Sequence, residues 1–164
     1  MKYGAMTALA AVALVTAAMI PAGMAHAGQT QPEVQNLTIY VMADDMGLVG
    51  PDKLHHDSFI PSSFVLKAGE PVKITIVNYD DTTHSLTAPD LGVNIVVKPG
   101  KDVAGSDQVT PVETTFTFTP TKKGQFRWHC LFPCDTGSGK GMAMKPAFDG
   151  QDADGFMAGY IEVI

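Results

Sequence analysis

The chain has 164 residues and a formal net charge of −6 at pH 7. This acidic balance disfavours nucleic acid or anionic lipid as a partner. The length is enough for one domain with its own hydrophobic core.

The N-terminal segment has the pattern of a secretory signal peptide. Lys2 is its only charged residue, an apolar run extends from Ala5 to Ile20, and residues 25–27 read Ala-His-Ala. A basic start, an apolar stretch and an A-x-A ending are typical of such signals. The run is shorter than the roughly 20 residues that span a bilayer. An uncleaved membrane anchor is the alternative.

We therefore predict three segments: a signal peptide over residues 1–27, a linker over residues 28–34 and a single domain over residues 35–164. The mature chain is expected in the periplasm or outside the cell, without a membrane span. Export also makes a disulfide chemically possible, so the compartment alone does not decide the state of the cysteines.

After the linker, the chain is a series of short stretches in which apolar and polar residues alternate. This period of two, rich in β-branched and aromatic residues and interrupted by Pro, Gly and Asp, predicts strands. In chain order the stretches are residues 37–41, 64–66, 72–76, 93–97, 116–118, 126–130 and 160–164. One short helical turn is expected within residues 43–58, and residues 131–156 read as a long glycine-rich loop. The spacing predicts an all-β antiparallel sandwich or barrel.

Three segments carry residues suited to metal chemistry. A predicted buried strand ends at Asn78 and His84 follows it in a loop, Cys130 ends the stretch GQFRWHC, and Met157 opens the last strand. Phe126 and Trp128 share the inward face with Cys130, because side chains alternate along a strand. Imidazole, thiolate and thioether are the soft donors that copper selects. We expect these three side chains to meet at one end of the domain, with the His84 ring within roughly 5 Å of the Cys130 sulfur.

The order of these motifs resembles the cupredoxins. G-x-x-V-x-I-x-I-V-N is followed by His84, then by G-x-F-x-W-x-C and finally by M-x-G-x-I-x-V, and the resemblance covers residues 60–164. It implies a Greek-key antiparallel β-sandwich with copper at one end, and a role in electron transfer or copper handling outside the cytoplasm. It also implies that His84, Cys130, Cys134 and Met157 are the metal residues, with Met157 as a weak axial donor.

The chain departs from the family at the metal loop. A mononuclear blue-copper site has a second histidine after the cysteine, but no histidine follows His129 here. Cys130 and Cys134 fit the C-x3-C spacing of the dinuclear centre of cytochrome oxidase subunit II. Ser138 and Gly141 stand where its histidine and methionine would fall. A mononuclear centre is therefore favoured over a dinuclear one.

Several other side chains are weighed as the missing ligand. His129 precedes Cys130 on the predicted strand, so its side chain is expected on the opposite face. The polar segment of His55 and His56 is expected at the surface. That segment supplies an imidazole only if it folds over the copper end. The remaining candidates are Asp154, Met142 and Met144.

The alternative for the two cysteines is a disulfide across the short C-x3-C loop. The leading interpretation is a copper-binding protein, not an enzyme, that works with a redox or copper-handling protein partner. The competing interpretation is a copper-free cupredoxin-like module with a Cys130–Cys134 disulfide. It serves structure or interaction, and the absent second histidine favours it.

Overall fold

A computed structural model describes residues 33–134 and 155–164 of the chain, and these belong to one compact unit. The predicted signal peptide, most of the linker, and the loop residues Met142, Met144 and Asp154 lie outside the described residues. Within the described part, no helix is long and apolar enough to cross a membrane.

The described residues are almost entirely strands and connecting turns. Three short 3₁₀ helices cover Asp44–Met46, Pro89–Leu91 and Gly155–Met157. The strands are β1 (Gln35–Met42), β2 (Leu48–Val49), β3 (His55–His56), β4 (Ser58–Ile60), β5 (Phe64–Leu66), β6 (Val72–Asn78), β7 (His84–Ala88), β8 (Val93–Val97), β9 (Lys101–Asp102), β10 (Val109–Thr110), β11 (Val112–Phe118), β12 (Gly124–His129) and β13 (Ala158–Val163).

Two large sheets form the sandwich. One has the strand order β11-β6-β1-β4 and the other β5-β13-β12-β7-β8, while β2–β3 and β9–β10 are small two-stranded additions. The predicted all-β sandwich is confirmed, and β12 lies inside the larger sheet with β13 beside it. Two neighbouring pairs, β1 with β6 and β5 with β13, are parallel. We predicted only antiparallel pairing, so these two parallel pairs were not expected.

The core lies between the inner faces of the two sheets. It is built from the alternating apolar residues of the strands, and side chains such as Ile39, Ile74, Ile76 and Ile161 are fully buried. Alternation of this kind is what one buried sheet face imposes on a strand. The sequence pattern therefore predicted these strands correctly. The predicted helical turn within residues 43–58 is also confirmed, at Asp44–Met46.

His84 is the exception, because we expected it in a loop and it begins β7. All five residues of β7, from His84 to Ala88, are buried. The strand lies between β12 and β8 in the larger sheet. Its polar side chains are accommodated by hydrogen bonds such as that from Thr87 Oγ1 to Asn94 Oδ1, at 3.0 Å. Three of the five residues of this buried strand are polar, which is why the apolar pattern did not identify it.

The backbone at Ser62 lies very close to Gly159 and to the Trp128 side chain in the larger sheet. The Trp128 indole Nε1 donates a hydrogen bond of 2.7 Å to the carbonyl oxygen of Ser62. Gly159 pairs with Trp128 across β13 and β12. A Cβ atom added at Gly159 would lie 1.8 Å from the Ser62 oxygen and 2.9 Å from Trp128 Nε1. Only glycine therefore allows this bond at this separation.

We predict that Gly159→Ala lowers the free energy of unfolding by about 1–3 kcal/mol, because the added methyl group forces the Ser62 backbone away. The free energy of unfolding in urea measures this. Gly105→Ala is the matched control: its Cβ meets nothing within 4 Å, and its φ of 79° carries only backbone strain. Equal losses for the two variants would contradict the close-approach argument.

Candidate metal centre

The site begins with a rigid turn between β6 and β7. The side chain of Asn78 is fully buried, and its Nδ2 donates to the carbonyl oxygens of Thr82 and Lys98 at 2.9 and 3.0 Å. Its Oδ1 accepts from the Asp80 backbone N–H at 2.9 Å. Asparagine is suited to this role because one side chain both donates and accepts. The turn therefore has a fixed shape before His84 is reached.

Asp80 then fixes the orientation of the His84 ring. The His84 Nε2 donates to Asp80 Oδ2 at 2.6 Å, and Thr82 Oγ1 donates to the same oxygen at 2.5 Å. On the other side, the Phe59 ring lies edge-on to the His84 ring, with centroids 6.1 Å apart. Because Nε2 is engaged, Nδ1 is the ring nitrogen that remains for a ligand. A carboxylate on the far nitrogen of a metal-binding histidine is a common supporting contact.

The Nδ1 atom of His84 faces Cys130. Its distance to the Cys130 Sγ is 3.9 Å, so the predicted proximity of the two side chains is confirmed. Both residues are buried, at 0% and 8% exposure. A nitrogen about 2.0 Å and a sulfur about 2.3 Å from a tetrahedral zinc ion lie about 3.5 Å apart. The observed separation is close to what one ion between the two atoms requires.

Cys134 joins this pair. The ligand atoms of His84, Cys130 and Cys134 all lie within 4.8 Å of one another, and Cys134 is only 3% exposed. Both cysteines are free thiols in the structure, which is the arrangement that a two-sulfur metal site needs. The described residues thus offer one nitrogen and two sulfurs, a soft set that fits copper. The roles of these residues as ligands remain predictions.

Met157 lies beside the site through its backbone. Its carbonyl oxygen accepts a hydrogen bond of 2.9 Å from the Cys130 N–H, and its side chain is 1% exposed. This connects the start of β13 to the end of β12, as the expected convergence at one end of the sandwich requires. Its axial role also stays a prediction.

The histidines considered as a further ligand have other surroundings. His55 is exposed and its Nδ1 lies 2.9 Å from the Gly47 carbonyl oxygen. His56 was expected at the surface, and this is wrong: it is 2% exposed, with Nε2 2.8 Å from Asp52 Oδ1. His129 is half-buried at the end of β12, where it alternates with the buried, inward-facing Phe126 and Trp128.

Two carboxylates near His84 were missed by the sequence reasoning. The ligand atoms of Asp57, Asp80 and His84 lie within 4.8 Å of one another, and all three residues are buried. The segment of His55 and His56 therefore does approach this end of the sandwich, but it contributes Asp57. An aspartate four residues before a histidine in a turn, as in Asp80 and His84, was the available sequence signal.

Charge is distributed unequally between the two thiols. The hydrogen bond from Cys134 is the largest influence on Cys130; burial opposes it, His84 and the Ser85 N–H reinforce it, and the pKa of Cys130 falls to about 4. The same hydrogen bond, together with burial, raises the pKa of Cys134 above its ordinary value. Cys130 is therefore a thiolate at neutral pH, and Cys134 is a thiol that donates to it.

The imidazole carries the compensating charge. Burial by itself lowers the pKa of His84, but the hydrogen bonds to Asp80 and Cys130 outweigh it and raise the pKa to about 9. Burial likewise raises the pKa of Asp80, while its bonds to His84 and Thr82 lower it to about 2. Between about pH 4 and about pH 9, the metal-free site therefore holds an imidazolium between a carboxylate and a thiolate. A metal ion held at Nδ1 would take the place of the proton there, and the Asp80 bond at Nε2 would remain.

Comparison with known proteins places this geometry in context. A family model described as a cupredoxin-like domain matches residues 9–140. The matched range includes His84, Cys130 and Cys134 and ends before Met157. No curated protein matches the chain.

Among solved structures, the chain is similar in fold to a blue copper oxidase from Nitrosomonas europaea, with a TM-score of 0.50 and 14% identity over 80% of this chain and 39% of the oxidase. It thus spans about two fifths of that protein. The metal-binding domain of a Cu(I)-exporting P-type ATPase from Streptococcus pneumoniae gives a TM-score of 0.42 and 15% identity, over 82% of this chain and 98% of that domain. The periplasmic domain of cytochrome oxidase subunit II from Bradyrhizobium japonicum gives 0.41 and 19%, over 78% and 83%.

The first prediction for the site concerns Cys130. In the metal-free protein, the ultraviolet absorbance of its thiolate should persist on acidification until the pH approaches 4. Cys130→Ser should remove this absorbance. Cys134→Ala should move its loss to higher pH, because the variant lacks the donor that stabilises the thiolate most. A wild-type thiolate that is protonated near the ordinary thiol pKa of 9.0 would contradict the assignment.

The second concerns Asp80. Asp80→Asn should lower the pKa of His84 from about 9 towards its ordinary value of 6.5, because the variant removes the anionic acceptor. Titration of the ring protons by NMR measures this, and Asp81→Asn in the same turn is the control. A raised histidine pKa contributes stability that is fully present below 6.5 and is lost as the pH rises through 9. The lowered pKa of Cys130 acts in the opposite direction over the same range, because the unfolded thiol holds a proton there that the folded thiolate lacks. The wild-type unfolding midpoint should therefore stay nearly level between pH 6.5 and 9, and the Asp80→Asn midpoint should rise.

Proposed function

Because the chain belongs to the cupredoxin-like domain family, we propose that it is an exported, non-catalytic protein that binds copper and carries electrons. The observation that supports this most directly is the convergence of His84, Cys130 and Cys134 within 4.8 Å in a buried site. Copper bound there would cycle between Cu(I) and Cu(II), taking up one electron and releasing one. The proposed setting is the periplasm or the outside of the cell, with a redox or copper-handling protein as partner.

The residues of the chain would keep that cycle efficient by moving little. His84 is held by Asp80 on one side and Phe59 on the other, and the Ser85 N–H lies 3.4 Å from the Cys130 sulfur. The Ser85 hydroxyl also accepts from the Leu131 N–H at 2.9 Å, which fixes the chain just after Cys130. Donors restrained in this way suit an ion that changes charge without changing place. We assign Met157 as the weak axial donor and favour one copper ion over two.

Copper delivery is the second candidate. The C-x3-C spacing of Cys130 and Cys134 favours it, because two neighbouring sulfurs can exchange an ion with a partner in steps. Burial of all three donors favours electron transfer, because partner ligands must reach an ion to take it away. The copper-free module requires a Cys130–Cys134 disulfide, and the free thiols of the structure argue against it.

The test of copper binding uses protein reduced under anaerobic conditions, then loaded with Cu(II). We expect a visible thiolate-to-copper absorption that Cys130→Ser abolishes, because a serine hydroxyl is a hard donor that seldom ionises. Met157→Leu should keep the colour and raise the reduction potential. Met46→Leu, at an exposed methionine, is its control. Cys134→Ser separates a two-sulfur site, which would lose the colour, from a one-sulfur site, which would keep it.

Failure of the reduced wild-type protein to take up copper would overturn the proposal. Thiol labelling that finds both cysteines blocked in the protein as isolated would support the disulfide-bridged module instead. With copper bound, rapid oxidation and reduction by a small mediator, without loss of the ion to a Cu(I) chelator, is expected for an electron carrier. Fast transfer of the ion to the chelator would identify a delivery protein.

A further inference from the structure

A groove lies next to the site and opens to the surface. Three segments of the described chain form its walls: Ala43–Met46 after β1, Tyr79 after β6, and the hairpin of β9 and β10 that continues to Pro111. Its volume is about 720 Å³. This lies in the range of clefts that bind a ligand or a partner's side chain.

The lining of the groove is mostly apolar and includes the two carboxylates of Asp45 and Asp107. Met46 and Val103 are 55% and 38% exposed, and Val109 and Tyr79 line the groove with them. The apolar surface continues along the chain from Met46, since Leu48, Val49 and Leu54 are exposed by 41%, 55% and 49%. Several large exposed apolar side chains in one short segment mark a surface that meets another molecule.

An acidic hollow of about 280 Å³ adjoins the groove and shares Tyr79, Asp107, Gln108 and Val109 with it. Four carboxylates line the hollow: Asp80, Asp81, Asp102 and Asp107. Asp45 lies at the groove itself. Among the described residues that line either depression, none is a lysine or an arginine. The combined surface is therefore mostly apolar in the groove and negative in the adjoining hollow.

Asp80 connects this surface to the candidate metal centre. Asp80 lines the hollow and also accepts the 2.6 Å hydrogen bond from His84 Nε2. The hairpin is fixed against the same turn, because the Gly100 N–H donates to the Asp80 carbonyl oxygen at 2.7 Å. A Cβ at Gly100 would lie 2.3 Å from Val109 Cγ1 and 2.9 Å from that oxygen, so this packing needs glycine. His84 itself is fully buried.

We infer that the groove and the hollow together are the docking surface for a basic protein partner, which places an apolar side chain in the groove and lysine or arginine side chains over the hollow. Charge complementarity selects this occupant, and a surface several side chains wide suits a protein better than a small ligand. Docking here brings the partner to Asp80, one hydrogen bond from the His84 ring. That the partner exchanges electrons or copper rests on the proposed function; the docking itself does not.

The test uses the isotope-labelled full chain, metal-free, so that loss of copper binding cannot be confused with loss of docking. The probe is a lysine-rich peptide with a central leucine, followed by the chemical shifts of the backbone amides. Saturable shifts are expected at residues 45–46, 79–81 and 102–109, and they should weaken as salt is added. An all-lysine peptide should bind more weakly, and a glutamate-rich peptide with the same leucine should not bind.

Variants separate the two halves of the surface. Asp102→Asn and Asp107→Asn should each weaken binding about two- to fivefold, the range typical of exposed charge pairs. Met46→Ala should weaken it by a similar factor that does not depend on salt. Glu162→Gln, at an exposed carboxylate of β13, is the matched control and should change nothing.

Shifts centred elsewhere, or equal effects of Glu162→Gln and Asp107→Asn, would overturn the proposal. Binding of benzyltrimethylammonium in the groove without binding of the peptide would also overturn it, in favour of a small organic cation.

Discussion

The hydrogen bond between Asp80 and His84 determines how this end of the molecule works. It is 2.6 Å long, it is buried, and it fixes which nitrogen of the ring turns towards the sulfurs. A ring free to rotate would present either nitrogen, and the convergence with Cys130 would be lost for part of the time. Thr82 donates to the Asp80 carboxylate and Asn78 accepts from the Asp80 backbone N–H, so the geometry of the donors is built into the turn before any ion binds. Preorganisation of this kind lowers the cost of binding.

The same bond divides the region into two sides with different chemistry. Towards the core lie two sulfurs and the aromatic ring of Phe59, a soft and largely apolar surrounding. Towards the solvent lie carboxylates and the apolar groove. Asp80 belongs to both sides, because it touches the ring and lines the hollow. Any molecule that binds over the hollow therefore acts on the charge that holds His84 in place, although it cannot touch the ring itself.

Much of the fold was accessible from the sequence because burial of one sheet face imposes alternation. Strands such as β6 and β12 show it clearly, and the inward position of Cys130 followed from it. β7 is five residues long and carries three polar residues, His84, Ser85 and Thr87, so His84 was expected in a loop although the whole strand is buried. The parallel pairing of β1 with β6 was also inaccessible, because alternation reports which face a residue occupies and says nothing of strand direction.

For the site, the proximity of His84 to Cys130 could be predicted because both residues end or begin strands at one end of a sandwich. Asp57 and Asp80 could not, since their positions depend on how two turns fold back over that end. His56 illustrates the same limit. Its polar segment was expected at the surface, yet a hydrogen bond between its ring and Asp52 allows His56 to be buried. Polar residues in turns are placed by specific hydrogen bonds, which leave no periodic trace in a sequence.

The chain contains a single tryptophan, and its position gives the protein an internal optical reporter. The fully buried Trp128 ring lies 4.9 Å from the Phe59 ring, which in turn contacts the His84 ring at 6.1 Å. Tryptophan fluorescence of the native protein thus originates at one known place, two aromatic contacts from the candidate donors. A paramagnetic or light-absorbing ion there would quench that emission by energy or electron transfer, so occupancy of the site can be followed without a label or a mutation.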